Sequence, residues 1–148
     1  NYSNKGFHDI NKYRSVNSVA INENELRQEL RDNNSDIKIL AKTLIKNKKI
    51  KNLIITRGSD GAILMNNKYK VFSCPGFASK SIDKVGAGDA MLSIASLGLK
   101  LKLDPELILF ISSLAAAISV ESIGNKEQVT YQKLDRMLEY MLKWKKFL

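Results

Sequence analysis

Residues 83–89 read Asp83-Lys84-Val85-Gly86-Ala87-Gly88-Asp89, and an apolar run opens directly behind them: Ala90, Met91, Leu92, Ile94, Ala95, Leu97, Leu99. Apolar residues three and four apart predict a helix that starts at this turn and ends near Lys100. Small residues let the backbone turn tightly and approach a ligand closely. The first turn of the helix directs unpaired N–H groups and the positive end of its dipole at the glycines. Such a turn suits phosphate. Asp89 stands at its mouth. Two readings of Asp89 follow: a base that takes a proton from a hydroxyl nucleophile, or an acidic cap at a loop-to-helix junction. An anion hole with a base beside it is the minimum equipment for moving a phosphoryl group to an alcohol.

The segment resembles the D-T-x-G-A-G-D signature of the ribokinase-like (PfkB) carbohydrate kinases, with Lys84 where that family usually has threonine. Two further stretches fit the same family in the same order. Asn22-Glu23-Asn24-Glu25 resembles its N-x-x-E motif, and Thr56-Arg57-Gly58-Ser59-Asp60-Gly61 resembles its T-x-G-x-x-G turn. The resemblance implies ATP-dependent phosphorylation of a sugar or sugar-like hydroxyl. Asp89 would be the general base, and the N–H groups of Gly86, Ala87 and Gly88 would stabilise the transferring charge. Asn22 and Glu25 would order Mg²⁺, water and phosphate, Glu25 acting through water. Thr56, Gly58, Gly61, Ser113 and Gly124 would line the nucleotide site. Asp83, the carbonyl of Val85, Ser119 and Ser122 would hold a monovalent cation such as K⁺. Ser113 lies where related kinases often carry asparagine.

Each of these stretches also has a structural reading. Asn22 followed three residues later by Glu25 is a variant of the helix capping box. One carboxylate acting partly through water suits Mg²⁺ equally well, and the two roles are compatible. The small residues of 112–124 serve helix packing as readily as an adenine wall. Thr56–Gly61 alone would be a strand-to-hairpin turn, and Arg57 reads as a solvated side chain in preference to one that reaches the phosphates. His8 has no motif partner.

The rest of the chain predicts a layered α/β fold. A strand is expected at 17–21, helices at 23–31 and from Asp36, and the continuous β-branched-rich run at 53–56 reads as a buried parallel strand. Residues 62–65 and 69–73 flank Asn66-Asn67-Lys68 as a hairpin. Asp104-Pro105 starts a buried helix ending near Gly124, and Thr130 caps an amphipathic helix with Leu134, Met137, Leu138, Met141 and Leu142 inward. Strand–helix alternation predicts a mainly parallel sheet flanked by helices, with ligands at the carboxyl ends of the strands.

The 148 residues suffice for one domain with a core. No stretch approaches the ~20 apolar residues of a membrane span. The single cysteine, Cys74, excludes an internal disulfide and fits a reducing cytoplasm, as a small filler beside Pro75. With 24 Lys and Arg against 15 Asp and Glu the formal charge is +9, but the cations are dispersed or gathered at helix ends. No aromatic platform accompanies them, so no nucleic-acid partner is expected. The chain opens on Asn1, and the early motifs of the family do not occur in it. The expectation is therefore that residues 1–148 are the C-terminal half of a ribokinase-like kinase domain, with the N-terminal part of the fold absent and no turnover on their own. An open sheet edge would favour association, with that half or as a homodimer. A nucleoside kinase, the kinase part of a heptose-activating bifunctional enzyme, and a non-catalytic nucleotide- or partner-binding module are the alternatives.

Overall fold

A computed structural model describes residues 10–13, 16–78, 86–120 and 129–144. Four strands and five helices follow in the order β1 (Ser18–Asn22), α1 (Glu23–Leu30), α2 (Ile37–Lys48), β2 (Asn52–Thr56), β3 (Ala62–Asn66), β4 (Val71–Cys74), α3 (Ala87–Lys100), α4 (Pro105–Val120) and α5 (Tyr131–Trp144). The strands lie side by side in chain order, β1-β2-β3-β4.

Only β1 and β2 run parallel; β2–β3 and β3–β4 are antiparallel. The expected mainly parallel sheet is thus corrected within the described residues. A parallel neighbour needs a long crossover, and only β1→β2 has one, through α1 and α2. The links 57–61 and 67–70 are too short for anything but a reversal. The second is a tight turn: Asn66 Oδ1 accepts from the N–H groups of Lys68 and Lys70, both at 3.0 Å.

Period-two alternation sends successive side chains to opposite faces. On one face Leu53, Ile55, Ile63 and Met65 pack with Leu26 of α1 and with Ile37, Leu40, Ala41, Leu44 and Ile45 of α2. On the other, Ile54, Ala62, Leu64, Phe72 and Cys74 pack with Met91 and Ala95 of α3 and with Ile108 and Leu109 of α4. The result is three layers, helices–sheet–helices. Cys74 is the buried filler expected. No helix among the described residues is long and apolar enough to cross a membrane.

The helix boundaries follow their caps. Arg31 and Lys49 close α1 and α2 in the left-handed conformation, with φ of 53° and 54°. Asp36 caps α2 by accepting from the Lys38 N–H at 2.8 Å. Asp104 caps α4, accepting from Glu106 N–H at 2.9 Å, with Pro105 in the first turn. Thr130 Oγ1 accepts from Lys133 N–H at 3.3 Å at the start of α5. The strand expected at 17–21 is displaced by one, so that Asn22 ends β1 and caps α1 at once.

Candidate functional site

Register gathers the candidate residues along one end of the sheet. Asn22 pairs with Thr56, Thr56 with Ala62, and Ala62 with Cys74. This row lies at the carboxyl ends of β1, β2 and β4. Asn22 and Thr56, 34 positions apart in the chain, are Cα partners in it.

At the β1 end of the row the capping box is fully formed. Asn22 Oδ1 accepts from Glu25 N–H at 2.8 Å, and Glu25 Oε2 accepts from Asn22 N–H at 3.2 Å. Both side chains of the N-x-x-E motif thus satisfy backbone donors that a helix start leaves over. Among the described residues no cluster of three or more His, Cys, Asp and Glu could hold a metal ion. A Mg²⁺ ion in this region would have Glu25 as its protein carboxylate and would take the rest of its shell from water and phosphate, a set that fits its chemistry.

Next along the row, the turn 57–61 closes on itself. Arg57 N–H donates to Gly61 O at 2.8 Å, and Asp60 N–H to Arg57 O at 3.2 Å. Gly61 has φ +83°, and a Cβ there would sit 2.0 Å from the Cys74 carbonyl oxygen. Only glycine lets β4 come so close. Gly76 approaches the same turn, its Cβ position lying 2.8 Å from Ser59 O. Arg57 differs from expectation. It is not a solvated side chain: its Nε–H donates to Glu23 Oε2 at 2.9 Å.

Ser113, on α4, meets the far end of the row. It is only 6% exposed, and among the described residues no partner lies within hydrogen-bonding geometry of its Oγ, Cys74 being a polar neighbour on the sheet. Burial pushes the Cys74 thiol up in pKa, and the nearby Ser113 hydroxyl pulls it down by less. An orphaned buried hydroxyl is unusual and destabilising. Ser112, its neighbour, is satisfied by donating to Leu109 O at 3.1 Å.

The first turn of α3 forms a second group. Gly86 is its N-cap with φ +92°, a left-handed conformation that disfavours a side chain, and it offers no side-chain cap. The first intrahelical bond runs from Ala90 N–H to Gly86 O at 2.9 Å. The N–H groups of Ala87, Gly88 and Asp89 therefore have no partner within the helix. Asp89 is the third helical residue and is exposed, its carbonyl accepting from Ser93 Oγ at 2.8 Å. Among the described residues a Cβ built on Gly88 would meet nothing within 4 Å. Packing within the described residues does not demand glycine there, and glycine weakens a helix.

Of the candidates, Asn22, Glu25, Thr56, Gly58, Gly61 and Ser113 share the sheet end, while Gly86, Ala87, Gly88 and Asp89 share the α3 turn. Ser119 is buried on α4. Asp83, Val85, Ser122 and Gly124, with Lys84, lie outside the described residues. Sequence reading missed the Glu23–Arg57 pair, although each residue follows a motif residue that ends a strand.

Comparison with known proteins gives a consistent picture. The model of the pfkB family carbohydrate kinases matches residues 5–130. The bifunctional protein HldE of Koribacter versatilis is 30% identical over 132 residues, which is 87% of this chain and 27% of that protein. The chain thus spans about a quarter of the length of the curated relatives it matches. Among solved structures, the ribokinase of Thermotoga maritima superposes with a TM-score of 0.71 at 22% identity, over 83% of this chain and 42% of its own. The Arabidopsis thaliana ribokinase complexed with ribose and ATP does so with 0.72 at 20% identity, over 84% and 41%. These likenesses show a ribokinase-like α/β fold.

Proposed function

The chain belongs to the pfkB family of carbohydrate kinases, and from that premise we propose that it carries the phosphoryl-transfer side of an ATP-dependent kinase acting on a sugar-like hydroxyl. Residues 1–148 would then be the C-terminal half of the kinase domain, its sugar pocket lying mostly in the other half. The observation that carries this is the α3 turn: a left-handed Gly86, three N–H groups without helical partners and an exposed Asp89 at the third position.

In this reading Asp89 takes the proton of the attacking hydroxyl. The N–H groups of Gly86, Ala87 and Gly88, backed by the α3 dipole, stabilise charge on the transferring group without having to reorganise. Gly88 leaves room for the phosphate. Thr56, Gly58 and Gly61 present hydroxyl and backbone to the nucleotide, Ser113 offers it a buried hydroxyl, and Gly124 completes that wall. Glu25, oriented by Asn22, holds the Mg²⁺ side. Magnesium, when bound, neutralises phosphate charge. Asp83, Val85, Ser119 and Ser122 remain the proposed K⁺ ligands. A cytoplasmic enzyme fits this chemistry.

A second reading is favoured by the 30% identity to a bifunctional protein: the chain as the kinase part of a two-activity, heptose-activating enzyme. Turnover by the full-length protein on sugars, nucleosides and heptose phosphates separates the two.

The decisive variant is Asp89→Asn, which keeps the size of the side chain but removes the base. Turnover should fall on the order of 10²–10⁴-fold, the usual contribution of general acid–base catalysis, with nucleotide affinity and melting temperature retained. Retention of more than about a tenth of wild-type kcat rules the assignment out. Nucleotide binding without transfer by the wild type would instead indicate a binding module.

A further inference from the structure

Asn22 and Thr56 end β1 and β2 as register partners, so the next residues, Glu23 and Arg57, emerge side by side above the sheet end. Arg57 Nε–H donates to Glu23 Oε2 at 2.9 Å. The other carboxylate oxygen accepts from Arg27 Nε and Nη2 at 3.1 and 2.7 Å, and Arg27 Nη1 donates onward to Ser35 O at 3.0 Å. On the turn, Arg57 Nη2 lies 3.7 Å from Asp60 Oδ2. Two guanidiniums, Arg57 foremost, hold the Glu23 carboxyl below its usual range. The Arg57–Glu23 bond ties the turn 57–61 to α1 through side chains. It joins two segments that each carry half of a candidate ligand set: Asn22 and Glu25 on one side, Thr56 and Gly58 on the other.

We infer that Glu23 and Arg57 are positioning residues, a clasp that fixes the Asn22/Glu25 segment against the Thr56/Gly58 turn so that one bound Mg²⁺–nucleoside triphosphate engages both. This rests on the kinase reading above. A nucleotide bridging two loops needs their spacing fixed beforehand, since loops ordered only on binding lose affinity. Arg57 is suited to the task. Its backbone takes part in two of the turn's three backbone hydrogen bonds, and its planar guanidinium is directed at a carboxylate that Arg27 already orients. Its Nε–H is engaged by Glu23, so the role assigned to it is to maintain this geometry.

The pair is also exposed enough to be removed without unfolding the chain. The side chains are 30% and 24% exposed, and such ion pairs contribute little to stability. The test compares the full-length protein with its Arg57→Ala, Glu23→Gln, double and Arg57→Lys variants, measuring kcat, KM for Mg·ATP, KM for the sugar, melting temperature, and amide exchange across 57–61. Each single variant should raise KM for Mg·ATP roughly 5–20-fold, as coupling between contacting residues allows. The sugar KM should stay put, the melting temperature should fall by no more than about 4 °C, and Arg57→Lys should recover part of the loss. The double variant should be no worse than the worse single one. Multiplying losses overturn the clasp. So does damage from Arg57→Ala with a silent Glu23→Gln, which would make Arg57 a direct phosphate ligand. Normal kinetics in every variant, while Asp89→Asn is dead in the same assay, overturns the clasp and leaves the kinase reading intact. If the wild type neither turns over nor binds nucleotide, the kinase reading fails. Amide exchange then decides the linkage itself: faster, non-additive exchange at 57–61 in both single variants supports it, and unchanged exchange overturns it.

Discussion

Gly88→Ala adds one methyl group and keeps the N–H donor, so it separates what the fold requires from what a ligand requires. Among the described residues the added Cβ meets no atom within 4 Å, and Gly88 is not among the glycines with positive φ. Neither clash nor backbone strain follows. Alanine is favoured over glycine inside a helix by about 1 kcal/mol, and near a helix start by less. Part of that gain comes from the smaller entropy of the unfolded chain. The variant should therefore be more stable by roughly 0.3–1 kcal/mol, which for a domain of this size raises the melting temperature by about 1–4 °C. If phosphate approaches the turn there, the same methyl group pushes it out of line, and a displacement near 1 Å costs on the order of 10² in rate. Thermal melting and kcat at saturating ATP, both on the full-length protein, read the two effects independently. A melting temperature lowered by more than about 2 °C would mean that glycine serves the fold, by strain or contacts the geometry does not contain. Retention of more than about a tenth of wild-type kcat would mean that no ligand comes close to Gly88.

Gly61→Ala should behave in the opposite sense: a Cβ at 2.0 Å from the Cys74 carbonyl, with φ at +83°, adds backbone strain to overpacking and should destabilise by about 2–5 kcal/mol in urea melts; a loss under 0.5 kcal/mol would show that the turn and β4 separate freely. Glu23 should leave a mark on acid stability. Its folded pKa is depressed below the ordinary 4.5 by Arg57 and Arg27, so its contribution is present above pH 4.5 and disappears as pH falls through the folded value. Wild type should exceed Glu23→Gln by under about 1 kcal/mol at neutral pH, and the gap should close on acidification; a gap constant from pH 7 to pH 3 would contradict the ion pair.

Local elements, and the chemistry offered at each, were legible in the order of the amino acids. Helical spacing behind Gly88 and Asp89 located α3, Asp104-Pro105 located the start of α4, and the β-branched run located β2. Asn22 with Glu25 foretold a capping box that is present in full. Such features depend on residues within a turn or two of one another, and side-chain type and spacing are enough to encode them. Cross-strand relations are not encoded that way. The run at 53–56 was rightly read as buried, yet burial on both faces says nothing of strand direction, and the two short links made the sheet mostly antiparallel. Asn22 meets Thr56 only because α1 and α2 return the chain with one particular register. Arg57 looked solvated because its partner lies 34 residues away, and charged side chains carry no periodic signal of whom they will meet. Gly61 looked like an ordinary turn glycine until β4 folded back and brought the Cys74 carbonyl against it. Spacing along the chain fixed which groups were on offer; packing of distant segments, which sums many weak contacts, decided which of them stand together.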